Sequence, residues 1–437
     1  MECLRCVVSE SFGRMCEHMS RSYQISSRHA GVGQPWIYSS RLHLILYALL
    51  LIATPFIFLQ AYLIEGISNL TNSTVHAFGL PVKIIPVAAL LGAVFLAITF
   101  RAYITGRLIL AIGLVIILDG LAQQIADYYF GHHFYDLQQN WHYLAYMIFV
   151  YMVYRDLAPR GLPIHKLILI TYLAAVSLSA IDEAFQMHMS SRVFDIGDIA
   201  KDSWGAMAGI VLVYLGGPSS VQLLKNKSLQ HGKLKGYYRN PFSLLILIFI
   251  FSVIFLFISS ILTEFEYLSA AILFTLGGFA CIFILIHLSR FKIGKYSIIA
   301  LFSLALITQG IFFIKYNSYN IVSTRYGLTI YKGIPLPFFD FMVYPDGTFR
   351  PVDKKHYFNA RDREFLLRKK PDIILIASGM YGLGGKGFVD KEHSFVYNPF
   401  TKKGTQIIIL KNDEAGRLFN KLKKEKKNVL FIIHNTC

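Results

Sequence analysis

Residues 242–263, FSLLILIFIFSVIFLFISSILT, contain no charged side chain. A helix of that length reaches across a hydrocarbon core of about 30 Å. Working outward, comparable runs fall at 43–64, 81–99, 107–128, 141–158, 165–186, 199–216, 267–289 and 296–315, so the sequence predicts about nine spans. Composition agrees, because 54% hydrophobic and 16% charged residues in a chain of 437, with a mean hydropathy of +0.48, exclude an ordinary soluble protein. The expected fold class is a polytopic α-helical membrane protein with about nine transmembrane helices and a C-terminal α/β domain.

The net charge of +17 does not point to nucleic acid, because the basic residues sit mainly in alternate loops and in the last third of the chain. That distribution reports membrane topology. Arg5, Arg14, Arg21, Arg28 and Arg41 precede the first run, and Arg101, Arg107, Arg155, Arg160, Lys166, Lys225, Lys227, Arg290 and Lys292 occupy loops on the same side. The N-terminus is therefore expected in the cytoplasm of a plasma or inner membrane, and an odd number of spans puts the C-terminal domain outside. The first apolar run starts late and is long enough to anchor, so no cleavable signal peptide is expected before it. Cys3, Cys6, Cys16, Cys281 and Cys437 are scattered in a way that does not make a disulfide framework. Cys3, Cys6 and Cys16 with His18 have metal-ligand residue types, but an N-terminal extension with an alternative start at Met19 accounts for them more simply.

Five regions follow. Residues 1–41 are a basic cytoplasmic segment, 42–216 a six-helix membrane region, 217–240 a basic linker rich in Gly and Ser, 241–316 a three-helix membrane region, and 320–437 a separate α/β domain. That last region alternates short β-rich runs with turns. LTIYKG and FFDFMVYPDGTFRPV predict strands with a hairpin turn at Pro345-Asp346-Gly347, PDIILIASG a buried strand, TQIIILK and NVLFIIH two more, and Asp362–Lys370 and Asp413–Lys424 two helices. About 110 residues are enough to bury a core.

Between two apolar runs lies LSAIDEAFQMHMSSRVFDIGDIAKDSWGAMAG, residues 178–209. Carboxylates at a membrane boundary cost free energy, and usually face a bundle interior or a wet cavity. Asp182 and Gln186 are one helical turn apart, as are Asp198 and Asp202, so each pair shares a face. Asp119, Gln123 and His142 are expected at the same depth. Asp198 has an ordinary account as a helix N-cap, and Arg192 as a partner for one acid. Asp182 and Glu183 sit at a helix C-terminus, where the dipole disfavours negative charge, so acids are left over that imply a divalent cation, a shared proton or a polar ligand. The candidate ligand-binding set is His142, Asp182, Glu183, Gln186, Arg192, Asp195, Asp198 and Asp202.

Asp182-Glu183-x-x-Gln186, then Arg192, Asp195, Asp198 and the small-residue stretch at Gly205, resemble the VanZ-like family, named for a teicoplanin-resistance protein. His142 followed by Tyr146 resembles that family's preceding motif. The resemblance covers roughly 100–215 and departs from the family at Gln138-Gln139, where many members have Asp-Lys. It implies an integral membrane protein of the cell envelope, without a defined reaction. Residues 326–437 resemble the small α/β domain shared by Mth938-type proteins and mitochondrial complex I assembly factor 3, through Tyr344-Pro345-Asp346-Gly347, His356, Asp362, Pro371-Asp372-Ile373, Gly379-Met380-Tyr381-Gly382, Asn420 and His434-Asn435-Thr436-Cys437. That resemblance implies a recognition or assembly module with a protein partner.

Two functions from different classes follow. One is binding of a polar lipid, a lipid-linked glycan or a glycopeptide group at an acidic site in the outer leaflet. The other is a membrane enzyme in which carboxylates, with or without a metal, act on a phosphorylated or glycosylated lipid headgroup. The sequence holds no HExxH, Walker loop or dinucleotide fingerprint. Transport ranks last, because only Asp119 is expected near the membrane midplane.

Overall fold

The computed structural model describes residues 73–77, 80–99, 101, 104–126, 137–187, 194–217, 220, 223, 227–354, 357–358, 360–388 and 393–436. They divide into two units, one holding Phe134–Leu256 with the residues before Ile125, the other Phe257–Cys437 with Ile125–His133.

In the first unit a short antiparallel hairpin, β1 (Thr74–Ala77) and β2 (Leu80–Lys83), leads into helix α1 (Ile84–Thr99). Then come α2 (Gly106–Ala126), α3 (Leu137–Leu157), α4 (Ile164–Gln186), α5 (Ile196–Gly216), the short α6 (Leu234–Arg239) and α7 (Pro241–Ile261). Small residues let α5 sit at the centre. A methyl group on Gly205 would lie 2.6 Å from the Tyr143 carbonyl oxygen, and one on Gly209 2.9 Å from Met147 Cα. The glycines, four apart, thus let the backbones of α3 and α5 touch, which is how membrane helices gain packing without a hydrophobic drive between them. Polar hydroxyls tie further helices to this axis. Tyr172 on α4 bonds Ser203 on α5 at 2.6 Å and Ser252 on α7 at 2.8 Å.

Five helices are long and apolar enough to cross a membrane: Gly106–Ala126, Ile164–Gln186, Pro241–Ile261, Phe265–Leu288 and Lys292–Tyr316. These five, counted among the described residues, fit an integral membrane protein, and the other four expected runs do not reach that length and hydropathy there. The run at 43–64 lies outside the described residues. The run at 81–99 begins as strand β2 and leaves a helix of 16 residues. The runs at 141–158 and 199–216 form helices of 21 residues each, α3 and α5, but Asn140, His142, Asp198, Lys201 and Asp202 lower their hydropathy. These polar groups belong to the protein interior, so average hydropathy describes them poorly.

The second unit contains the end of α7, then α8 (Leu268–Leu288) and α9 (Lys292–Tyr316). A three-stranded antiparallel sheet follows: β3 (Ile321–Arg325), β4 (Leu328–Tyr331) and β5 (Ile334–Pro337), in that order. The main sheet has six strands. They are β6 (Asp340–Val343), β7 (Phe349–Val352), β8 (Ile373–Ala377), β9 (His393–Asn398), β10 (Lys403–Leu410) and β11 (Val429–Ile433), arranged β7-β6-β11-β8-β10-β9. β8 runs parallel to both β10 and β11, whereas β6 and β9 run antiparallel to their inner neighbours. Helices α10 (Ala360–Arg368) and α11 (Asn412–Lys424) cover opposite faces. Phe341, Leu375 and Phe431 pack with Ala415 and Phe419 of α11, while Met342, Ile374 and Ile432 pack with Leu366 and Leu367 of α10. This alternation is the period of two that a sheet covered on both sides requires.

The expected hairpin turn is present. Asp346 Oδ1 accepts from the Thr348 N–H at 2.8 Å, and Gly347 takes φ +87°, a conformation open to glycine. β3, β5 and β9 were not expected from the sequence, because their exposed or proline-containing patterns lack a continuous buried face.

At the heart of the domain Asp340, wholly buried, is held by three donors. His434 Nδ1 lies 2.7 Å from Oδ2, Lys354 Nζ 3.3 Å from Oδ1, and the Asn435 N–H donates to Oδ1 at 2.9 Å. Burial by itself would raise the Asp340 pKa, but His434, Lys354 and the Asn435 amide outweigh it and hold the carboxyl below its usual range. A depressed pKa means that the unfolded chain takes up the proton more readily. The contribution to stability is therefore complete above the unfolded value of about 3.9 and is lost as pH falls through the lower, folded value. Asp340→Asn is expected to weaken the domain at neutral pH and to flatten its acid unfolding limb, as read by protease resistance of the tail domain against pH. An unchanged acid limb would remove Asp340 from the account.

Candidate functional site

Four helices of the first unit bring polar side chains together. α5 contributes Asp198 and, one turn further on, the adjacent Lys201 and Asp202. Its N-terminus is capped by Asp195, whose Oδ1 accepts from the Gly197 N–H at 2.7 Å. The cap is therefore Asp195 and not Asp198, which is freed for other contacts.

His142, on the second turn of α3, lies between the two α5 carboxylates. Its Nδ1 is 2.9 Å from Asp202 Oδ1 and its Nε2 3.5 Å from Asp198 Oδ2. Ser179 of α4 donates to the other Asp202 oxygen at 2.6 Å. Lys201 is completely buried and its ammonium bonds Asp198 Oδ1 at 2.8 Å. Lys201 gives Asp198 a cation that the sequence reading passed over, whereas Asp182 and Glu183 have only amide donors among the described residues. Asp198 has an internal cation three residues along its own helix, within reach of the same helix side. Asp202 likewise has histidine and serine partners.

The two acids at the end of α4 share one amide. Gln186 Nε2 donates to Asp182 Oδ2 at 3.1 Å and to Glu183 Oε1 at 3.0 Å. The other Glu183 oxygen accepts from the Asp195 N–H at 3.0 Å, so Glu183 fastens the end of α4 to the start of α5. On the opposite flank, Gln123 of α2 donates to Asn140 of α3 at 2.7 Å. Buried Tyr143 is within electrostatic reach of Asp119, Asp198 and Asp202. Its hydroxyl and Asp119 Oδ1 are buried without a protein hydrogen-bond partner among the described residues. Such groups ordinarily find one.

The structure thus brings together seven of the eight candidates: His142, Asp182, Glu183, Gln186, Asp195, Asp198 and Asp202. Arg192 lies outside the described residues. Lys201, Ser179, Asn140 and Tyr143 join them without having been picked out from the sequence. Lys201 had a legible signal, a lysine three residues after an aspartate inside an apolar helix. Among the described residues, no group of three or more His, Cys, Asp or Glu side chains is arranged to hold a metal ion. His142 contacts Asp198 and Asp202, Lys201 pairs with Asp198, and Asp182 and Glu183 accept from amide donors.

No family model matches the chain, and no curated protein matches it. A solved structure titled MT938 is similar to part of it, with 26% identity over 28% of this chain and 100% of that one, at a TM-score of 0.23.

A lysine sealed in a helical bundle needs its counter-charge, and removing one partner of a buried pair typically costs ~3–5 kcal/mol. Asp198→Asn, which strands the sealed ammonium, is expected to lose stability on that scale in detergent unfolding, and the double variant Lys201→Met/Asp198→Asn to regain a large part of it. Equal losses in the single and double variants would mean that the pair is not what holds Lys201 there.

Proposed function

We propose that the chain is a VanZ-like integral membrane protein of the cell envelope whose four-helix polar network binds a polar group of a membrane lipid, lipid-linked glycan or glycopeptide. In this reading the site opens to the outer leaflet, and the C-terminal domain is an Mth938-like module that recruits a protein partner.

One observation carries the reading. The network has a sealed inner half and an open lip: the side chains of Lys201 and Asp202 are 0% and 5% exposed, whereas those of His142 and Asp198 are 19% and 20% exposed. The lip is chiefly an acceptor of hydrogen bonds, with Asp182 and Asp198 on it. Carboxylates pair with hydroxyl and ammonium donors and repel anions. Sugar hydroxyls or a headgroup amine therefore suit the lip better than a bare phosphate. Asp119 and Tyr143, with polar atoms unpartnered among the described residues, supply further hydrogen-bonding capacity.

The second reading, a carboxylate-assisted enzyme acting on a phosphorylated or glycosylated lipid headgroup, draws on the same histidine. A carboxylate on Nδ1 orients the ring, as a general acid or base needs, with Nε2 3.5 Å from Asp198 Oδ2. Among the described residues the lip shows no neighbouring nucleophile, and binding is the preferred reading.

A ligand that binds only the folded form raises its stability by about 2.7 kcal/mol at a hundredfold excess over Kd. Purified wild type is expected to melt higher with a polyprenyl-linked sugar or with phosphatidylethanolamine than with phosphatidylglycerol, and Asp182→Asn/Asp198→Asn to lose that difference. No shift in wild type, or the same shift in the variant, would sink the binding reading. Release of the headgroup during the incubation would favour the enzyme.

A further inference from the structure

Strand β5 and the two residues after it read Ile334-Pro335-Leu336-Pro337-Phe338-Phe339, six residues without a charge or a polar side chain. β5 is an edge of the three-stranded sheet, paired on one side only, with β4. Leu336 packs towards the core with α11 and the main sheet. Pro335 and Pro337 are exposed, and Phe338 is 54% exposed. A bare apolar edge in water is an aggregation hazard that proteins usually blunt with charge.

Both ends of this segment are fastened to apolar helices of the same unit. At one end Gln309 of α9 donates to the Gly333 carbonyl at 2.9 Å, and a methyl group on Gly333 would meet the Phe312 carbonyl oxygen at 2.8 Å. At the other end Phe339 stacks edge-on against Phe257 of α7 with centroids 5.4 Å apart, and the Lys354 N–H donates at 2.9 Å to the free carbonyl of Ile261, the last residue of α7. Gln309 lies roughly 10 Å back from the end of α9 and Phe257 roughly 6 Å back from the end of α7, at 1.5 Å per residue. α9 is roughly 37 Å long at the same rise, against a hydrocarbon core of about 30 Å. Both anchors thus put the segment below the helix ends, at the boundary between headgroups and acyl chains.

The chemistry suits that depth. Backbone N–H groups facing lipid are costly because nothing there can accept from them. Proline has no N–H, so Pro335 and Pro337 remove outward donors from the unpaired edge. Between β5 and α9 runs an open groove lined by Leu306, Gln309, Gly310, Phe313, Ile334 and Pro335, apolar apart from the one amide that binds Gly333.

We infer that residues 334–339 form a strap that lies in the bilayer interface, with lipid acyl chains covering its outer edge and the groove beside α9. The strap seats the α/β domain directly on the membrane that its own helices cross. This inference concerns the second unit and does not rest on the ligand proposed for the first.

The test uses the full chain in nanodiscs of phosphatidylcholine and phosphatidylglycerol, with Cys3, Cys6, Cys16, Cys281 and Cys437 replaced by serine. One cysteine is introduced for an environment-sensitive fluorophore: Pro335→Cys or Phe338→Cys on the strap, and Glu364→Cys on α10, which covers the other face of the six-stranded sheet. The strap labels are expected to be quenched several-fold more by nitroxide-bearing lipid than the Glu364→Cys label, and to be shielded from aqueous iodide. Strap labels as open to iodide as the Glu364→Cys label would overturn the inference. Shielding from both quenchers would overturn it as well, because a protein surface would then cover the edge.

Discussion

A lysine with no exposed surface, placed in the second turn of α5, sets the terms for the first unit. Lys201 makes an ion pair with Asp198, and a lone ammonium there would face a desolvation cost that only close partners repay. Asp198 must then turn inward, which leaves the helix cap to Asp195. His142 bridges Asp198 and Asp202, and Glu183 ties the end of α4 to the start of α5. The glycines at 205 and 209 serve the same arrangement. Only with a bare helix surface there does α3 come near enough to deliver His142 between two carboxylates one turn apart.

The polar network explains why two of the helices expected to cross the membrane have a low average hydropathy. Helices α3 and α5 carry the groups that make the site, so their averages fall although their lengths match their neighbours. The exposed faces of α8 and α9 are apolar all along, and these two stand out easily. What composition reports is the surface turned towards lipid. It is a weak guide to helices buried among other helices.

Much of the site was legible because helical spacing is geometric. Asp182 with Gln186, and Asp198 with Asp202, were placed on shared faces by their four-residue separation, and the hydrogen bonds of Gln186 and His142 follow that spacing. Partners from other helices were not legible in this way. Ser179 and Tyr143 are ordinary residues until tertiary packing sets them beside a carboxylate, and Lys201 reads as a stray charge until it is seen to be sealed. In the C-terminal domain the strands with a buried face, β8, β10 and β11, were evident from their apolar runs. β5 was hidden by its prolines, which are unfavourable inside a sheet and acceptable at its edge. Its function as an edge is the very reason it did not look like a strand.

The central claim is that His142 is coupled to the α5 carboxylates, and a double-mutant cycle between His142 and Asp202 tests it most directly. His142→Gln, Asp202→Asn and the pair are compared with wild type by unfolding in detergent. Side chains in direct contact through a hydrogen bond give interaction energies of roughly 0.5–3 kcal/mol, and that is the result expected here. Strictly additive losses would place the two residues apart and contradict the arrangement on which the site depends.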